Sequence, residues 1–513
     1  MFDAMRPLLP EILDLHGKWR ATKPALIDAR GTCDWATFAS AVNRTANGLI
    51  ASGIAPAERV GVVMGNSAMT VETMFGILAA GAVVVPMNLS VTDEALRTML
   101  GDAGVRALFV SGDQCERLDG LRGDLPSLPS TSCFCAGAAL TGWVDCESWR
   151  EEFSADAPDV AIAPDAACNI IYSSGTTGLP KGIVHTHGGR LDWAYDLAVS
   201  LHYHGGVRTL ATLGLYSNIS WVMMLCTLLA GGTLIVHPGF DAGRVLDAIE
   251  EYGVTHTAMV PIQYQRLLAH PDIAATNLSS MQAMMSCGSP LPADVKAALF
   301  NRFACGVIEL YGLTEGVITT LDPEDAKDRM ASVGRPIQGT DIRLIDENGT
   351  EVPTGTAGEI VGLTRFTMPG YWNRPDATAE ATWTDTRGRA WLRTGDIGRL
   401  DEAGFLYIVD RKKDMILSGG QNIYPADIEA VLREHEAVGD CAVVGVPHSE
   451  WGETPLAVVV PHAEGGDADA LKAWLNARLG KQQRVSAVVF RADLPRNPNG
   501  KVLKRELRKL YSG

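Results

Sequence analysis

The residues best suited to chemistry lie in Tyr172-Ser173-Ser174-Gly175-Thr176-Thr177-Gly178-Leu179-Pro180-Lys181-Gly182, directly after Asn169-Ile170-Ile171. Three glycines, four Ser/Thr hydroxyls and one lysine stand among these eleven positions. Glycine lets backbone N–H groups approach an anion, the hydroxyls add donors, and the lysine adds a point charge. The pattern predicts a strand running into a loop that handles phosphate. A Walker loop is excluded, because there Gly-Lys-Ser/Thr leads at once into helix. Here Pro180 precedes Lys181 and Gly182 follows it, and both resist helix at that point. A solvated turn has the same composition, so this loop alone names no reaction.

Other polar clusters also follow apolar runs. They are Gly288-Ser289-Pro290-Leu291, Tyr311-Gly312-Leu313-Thr314-Glu315, and Trp391-Leu392-Arg393-Thr394-Gly395-Asp396. Asp410-Arg411-Lys412-Lys413-Asp414 leads into Ser418-Gly419-Gly420-Gln421-Asn422, and Pro498-Asn499-Gly500-Lys501 stands near the end. Ligands of open α/β sheets sit at the carboxyl ends of strands, so such clusters are where a nucleotide site assembles.

The elements that must position these clusters follow from periodicity. Trp35 to Ile54 repeats apolar residues at helical spacing; Arg59 to Met64, Ala82 to Pro86 and Ala107 to Val110 read as buried strands, with helices at Val71 to Ala80 and Glu94 to Gly101. The same alternation recurs from Leu210 to Ser286 and predicts a doubly wound α/β architecture. The stretch from Gly120 to Ala163 shows little periodicity and is expected to be a surface connection. Short strands and tight turns after Gly334 predict a small β subdomain, about 334–410. The charged run at 411–413 is the expected hinge between an N-terminal domain, 1–410, and a C-terminal α+β domain, 414–513.

At 513 residues more than one domain is expected. A formal charge of −16 argues against nucleic acid as a partner, since that binding relies on basic patches. Ten cysteines without paired or zinc-type spacing suggest unpaired thiols in a reducing compartment. No signal-peptide core or membrane-length apolar run is seen, so a cytoplasmic protein without integral membrane association is expected. His185 and His187 form an H-x-H without an acidic partner spaced to match, which favours helix entry over metal.

Together and in order, these clusters resemble the adenylate-forming superfamily of acyl-CoA synthetases, peptide-synthetase adenylation domains and beetle luciferase. The resemblance covers nearly the whole chain. It implies that a carboxylate attacks the α-phosphate of ATP, giving acyl-adenylate and pyrophosphate, and that coenzyme A then displaces AMP. It assigns Ser173, Ser174, Gly175, Thr176, Thr177, Gly178 and Lys181 to the β- and γ-phosphates, and Gly288, Ser289, Pro290, Tyr311 and Gly312 to the nucleotide. Thr314 would meet the α-phosphate, Glu315 would hold Mg²⁺, Asp396 would take the ribose hydroxyls, and Arg411 would contact ribose or phosphate nearby. Lys501 would bridge the α-phosphate and the substrate carboxylate. Lys413 would be the pivot of a swinging C-terminal domain, and Gly419, Gly420 and Gln421 would line the CoA tunnel. Taken singly, Tyr311 could be core, Asp396 a turn residue, Glu315 a helix N-terminal carboxylate and Lys501 one of several solvated lysines.

The acyl pocket implied by matched position comprises Tyr216, Ser217, Trp221, Gln263, Tyr264, Ser286, Cys287, Val317 and Ile318. These residues are neutral, which favours a fatty or aryl carboxylate over a dicarboxylate. Many relatives carry His where Ser217 stands, which leaves the acid itself open. The first reading is a CoA ligase, with the expected partners ATP, CoA and a small carboxylate; a homodimer stays open. No carrier segment follows Gly513, which favours free CoA over an adenylating enzyme that loads a separate carrier protein. A luciferase-like oxygenase is the remaining alternative.

Overall fold

β-Branched runs alternating with amphipathic segments fold here as strands covered by helices, as their periods predict. The computed structural model describes residues 6–137, 140–173, 180–418, 421–448, 451–462, 466–481, 483–496 and 502–511, with backbone alone for Gln421 and Asn422. Unit 1 comprises Met1–Met330, Pro336–Asp341 and Leu363–Leu392; unit 2 comprises Ala331–Arg335, Ile342–Gly362 and Arg393–Gly513.

In unit 1, β1 (Pro24–Asp28) and β2 (Gly31–Asp34) form a hairpin. β3 (Arg59–Val63), β4 (Val83–Pro86), β5 (Ala107–Ser111), β6 (Cys133–Ala136), β7 (Val144–Asp145), β8 (Ala167–Ser173) and β9 (Lys181–Thr186) then build one sheet. Its order is β7-β6-β5-β3-β4-β8-β9, parallel throughout except for the β8–β9 pair. β10 (Arg208–Ala211), β11 (Thr233–Val236), β12 (His256–Met259), β13 (Ala283–Ser286), β14 (Ile308–Leu313) and β15 (Gly316–Leu321) join the first hairpin in a second sheet. Its order runs β15-β14-β13-β12-β10-β11-β1-β2, with antiparallel pairs at both ends of a parallel centre.

The covering helices bury the faces their spacing marks. Asp34 caps the helix Trp35–Ala51 by accepting the Thr37 N–H, and that helix buries Trp35, Phe38, Val42 and Leu49. The helix Ala68–Ala79 is buried along its whole length, capped by Ser67. In unit 2, Val438–His448 pairs antiparallel with Gly452–Pro461, which Ala487–Phe490 joins in parallel. The helices Pro425–Arg433 and Ala468–Asn476 close Ile428, Leu432 and Leu475 over Ile416, Val443 and Ala457.

Three expectations need correction. The stretch 120–163 is not simply a surface connection: Cys133, Phe134 and Cys135 form β6 and are fully buried against β5. A strand of this length is too short to show a period. Second, the cysteines are not all unpaired. Helix Cys115–Arg122 packs beside β6 and brings Cys115 and Cys135 into a disulfide, Cα to Cα 6.6 Å, across 20 residues of sequence. The other cysteines among the described residues are free, and most are buried. Third, His185 is a buried strand residue of β9, whereas His187 does open a helix, His187–Ser200. Among the described residues no helix is long and apolar enough to cross a membrane.

Candidate active site

The phosphate-type loop joins two antiparallel strands, with Tyr172 opposite Gly182 and Ser173 opposite Lys181. Ser174, Gly175, Thr176, Thr177, Gly178 and Leu179 lie outside the described residues. The stem that carries them is tied to the second sheet. His185 on β9 is buried, and its Nε2 lies 2.7 Å from the Thr314 carbonyl oxygen. A carbonyl can only accept, so Nε2 carries the proton, and Nδ1 then accepts from Arg190 Nη2 (3.2 Å) and Asn169 Nδ2 (3.2 Å). Arg190 also donates from Nε to Asn169 Oδ1 at 2.8 Å and lies between the rings of Trp193 and Trp221. Burial, reinforced by the Arg190 charge, holds the His185 ring well below the usual histidine range, so it is neutral.

Thr314 and Glu315 occupy the turn between β14 and β15. The turn is tight: Gly316 has φ +137° and Val317 φ +63°, a left-handed conformation that a β-branched residue adopts only under strain. Packing by itself requires glycine at 312, since a Cβ there would meet the Val317 carbonyl oxygen at 2.7 Å. A third segment reaches the same turn. The Met368 N–H donates to the Glu315 carbonyl at 2.9 Å, and the Tyr371 hydroxyl donates to Glu315 Oε1 at 2.9 Å. Lys181 places its ammonium 4.8 Å from the Tyr371 ring centre. Glu315 is therefore on a strand-to-strand turn, not at a helix N-terminus. Tyr311, at the end of β14, is half-buried rather than core.

A half-buried carboxylate with one oxygen oriented by a hydroxyl suits a hard cation. No group of three or more His, Cys, Asp or Glu among the described residues could hold a metal. Glu315 fits an ion whose remaining ligands are phosphate oxygens and water.

The carboxyl ends of β12, β13 and β14 lie side by side and gather the remaining unit 1 positions. Gln263 and Tyr264 open the helix after β12, Ser286 ends β13, and Cys287, Gly288, Ser289 and Pro290 follow it. Tyr264 donates its hydroxyl to Met285 O at 2.7 Å, and Trp221 donates Nε1–H to Leu215 O at 3.0 Å. Both are wholly buried, with their polar atoms engaged inside the fold. Ser217 caps the helix Asn218–Ala230 through the Ile219 N–H, and Tyr216 beside it is half-buried. Val317 and Ile318 are buried on β15. Burial pushes the Cys287 thiol up to about 12, so it is not a nucleophile at neutral pH.

Sequence reasoning missed Glu309 and Lys296. Glu309 Oε1 accepts the Leu291 N–H at 3.0 Å and so holds the end of the 288–291 turn. Its other oxygen pairs with Lys296 Nζ at 2.5 Å, and that ammonium also donates to Met330 O at 2.7 Å. Both side chains are buried. The signal was present as an acid inside the apolar strand Val307-Ile308-Glu309-Leu310.

In unit 2, Asp396 and Arg411 face each other across paired strands, Arg411 Nε to Asp396 Oδ1 3.0 Å. Asp396 is buried and is oriented further by its N–H on Thr394 Oγ1 at 3.0 Å. The residues on either side of Lys413 are pinned to different partners. Lys412 Nζ reaches Glu359 Oε2 at 3.0 Å, while Asp414 pairs with Arg508 at 3.1 Å. Lys413 stands between these anchors and offers its carbonyl to Arg508 at 3.0 Å. Gly419, Gly420 and Lys501 lie outside the described residues, as does the Gln421 side chain.

Buried histidines make the fold acid-sensitive. Burial lowers His187 and His256 to about 4, against about 6.5 in an unfolded chain. Above 6.5 both states are neutral and stability is complete; below it the unfolded state takes up protons that the fold refuses until about 4. Stability should therefore fall as pH drops through this window, each histidine costing about 1.4 kcal/mol per pH unit. Urea midpoints between pH 7.5 and 5 check this, and His187→Leu should flatten the slope. An unchanged slope would contradict the assignment.

The AMP-binding enzyme family matches residues 16–372, and its C-terminal domain family matches residues 427–501. Feruloyl-CoA synthase of Amycolatopsis sp is 37% identical over 484 residues, covering 93% of this chain and 94% of that protein. The long-chain-fatty-acid–CoA ligase FadD13 of Mycobacterium tuberculosis is 34% identical, covering 93% of each. The crystal structure of the anthranilate CoA ligase AuaEII in complex with anthranoyl-AMP superposes with a TM-score of 0.88 at 26% identity, over 99% of this chain and 98% of that one.

Proposed function

The chain belongs to the AMP-binding enzymes, and on that premise we propose that it is an ATP-dependent, AMP-forming acid–CoA ligase. A carboxylate oxygen of the substrate attacks the α-phosphorus of ATP, and the bond to the pyrophosphate oxygen breaks. The CoA thiolate then attacks the acyl carbon, the acyl–oxygen bond breaks, and AMP departs with one substrate oxygen. Neither step needs a protein nucleophile, so the protein contributes positioning and charge. The carrying observation is that the Thr314–Glu315 turn is tied to the stem of the 173–181 loop through His185 and, by way of Tyr371, to Lys181, in a chain matched by both family domains.

The loop 173–178 and Lys181 grip the β- and γ-phosphates, Thr314 the α-phosphate, and Tyr311 with residues 288–290 the adenine side. Mg²⁺ at Glu315 neutralises phosphate charge when bound. Asp396 accepts from the ribose hydroxyls while Arg411 holds its second oxygen. Lys501 serves adenylation, and residues 419–421 line the route of the pantetheine arm. The turn of the C-terminal domain centres on Lys413, a reading supported by the separate anchors of Lys412 and Asp414 on either side of it. ATP and free CoA as substrates suit a cytoplasmic enzyme.

The acyl group is neutral, fatty or aryl, because Tyr216, Ser217, Gln263, Ser286, Cys287, Val317 and Ile318 carry no charge and the nearby Arg190 is engaged by Asn169 and His185. A screen of cinnamic, benzoic and fatty acids for AMP release, with and without CoA, tests the proposal. AMP formation that needs both a neutral acid and CoA is expected. Turnover of dicarboxylates alone would refute the acyl class, and acid-dependent pyrophosphate release indifferent to CoA would refute the ligase.

A further inference from the structure

Tyr371 is the side chain that joins the two grips on the leaving group. Its hydroxyl holds one oxygen of Glu315, and its ring lies against the Lys181 ammonium. The residue is placed rigidly. Its N–H donates to Thr378 Oγ1 at 2.9 Å, and its backbone bridges Ile183 on β9. Its neighbours donate and accept along the same strand, Trp372 N–H to Gly182 O at 2.7 Å and Val184 N–H to Gly370 O at 3.2 Å.

Asp102 fastens the segment from the other side. It pairs with Arg374 at 3.0 Å, accepts the Tyr172 hydroxyl at 2.7 Å, and its carbonyl accepts Trp372 Nε1–H at 3.1 Å. The segment 370–374 is thus bridged to β9 of the loop's own hairpin at Tyr371 and delivers a hydroxyl to the carboxylate beyond it. The ring borders an open cavity of about 670 Å³, which leaves the contact at the edge of open space rather than in the core.

We propose that Tyr371 is a positioning residue for the first half-reaction: it orients Glu315 toward the metal carried by ATP and holds Lys181 at the pyrophosphate. The inference rests on the ligase reading and deepens it. A hydroxyl on one oxygen fixes the orientation of the carboxylate, and such supporting hydrogen bonds to a metal ligand typically change metal affinity by about 10–100-fold when removed. Because pyrophosphate and metal act only in adenylation, the second half-reaction does not need Tyr371.

The test uses the full-length protein with Mn²⁺ as the probe. Mn²⁺ binding in the presence of a non-hydrolysable ATP analogue is titrated by electron paramagnetic resonance for wild type and Tyr371→Phe, which keeps the ring. About tenfold weaker Mn²⁺ binding is expected. Pyrophosphate–ATP exchange should need correspondingly more Mg²⁺, while thioester formation from synthetic acyl-adenylate stays within twofold of wild type. Tyr371→Leu should add a rise in KM for ATP, because Lys181 loses the ring; should that variant not fold, the phenylalanine variant decides. Unchanged Mn²⁺ affinity in a folded Tyr371→Phe protein, or equal loss in both half-reactions, would overturn the proposal. Wild-type Mn²⁺–nucleotide binding without any acid-dependent exchange would instead refute the ligase reading.

Discussion

Replacing Lys501 with alanine should slow acyl-adenylate formation by about 10²–10³-fold while leaving thioester formation from supplied acyl-adenylate nearly intact. As the carboxylate closes on the α-phosphorus, two anionic groups approach each other, and an ammonium placed between them stabilises the transition state more than the ground state. In the second half-reaction the acid is already esterified and AMP is leaving, so that repulsion is gone. Among the described residues on either side, Arg496 and Val502 form an antiparallel bridge, and the Leu503 N–H donates to Pro495 O at 2.7 Å. Rapid-quench measurement of each half-reaction separates the cases. Equal loss in both would mean that Lys501 supports the fold or general nucleotide binding, and the two-arrangement account would fail.

The second large effect is on stability. Glu309→Ala leaves the Lys296 ammonium buried without its carboxylate and the Leu291 N–H without its acceptor. Breaking a buried pair from one side costs about 3–5 kcal/mol, a large share of the total stability of a typical domain. The double variant Lys296→Met/Glu309→Leu removes both charges and should recover most of that loss, since apolar replacement of a buried pair is often neutral. The Leu291 N–H stays without its partner in the double variant, so its ATP affinity should remain lowered through the 288–291 turn. Urea unfolding of the three proteins gives the stabilities, and nucleotide titration gives the affinities. A double variant as unstable as the single would show that the acid matters for its hydrogen bond rather than for the ion pair.

What could be read in advance divides along physical lines. β3, β4 and β5 were legible because each is a continuous apolar run bounded by turn residues, and the helix Trp35–Ala51 because its apolar spacing persists over four turns. Thr314 and Glu315 were legible as site candidates because polar residues follow an apolar strand directly. β6 was not, since Cys133-Phe134-Cys135 gives no period, nor was the helix Lys504–Tyr511, whose face carries few apolar residues. The supporting residues were hidden for another reason. His185 meets Thr314 across 129 positions and Tyr371 meets Glu315 across 56, so neither contact leaves a local pattern.

The central claim is that the acid is activated as an acyl-adenylate, and oxygen transfer tests it most directly. The protein is incubated with ATP, Mg²⁺, CoA and a neutral acid bearing ¹⁸O at both carboxylate positions, and the products are weighed by mass spectrometry. The account predicts one ¹⁸O in AMP, one in the thioester carbonyl and none in pyrophosphate. Label in pyrophosphate or inorganic phosphate, or unlabelled AMP formed alongside thioester, would contradict it.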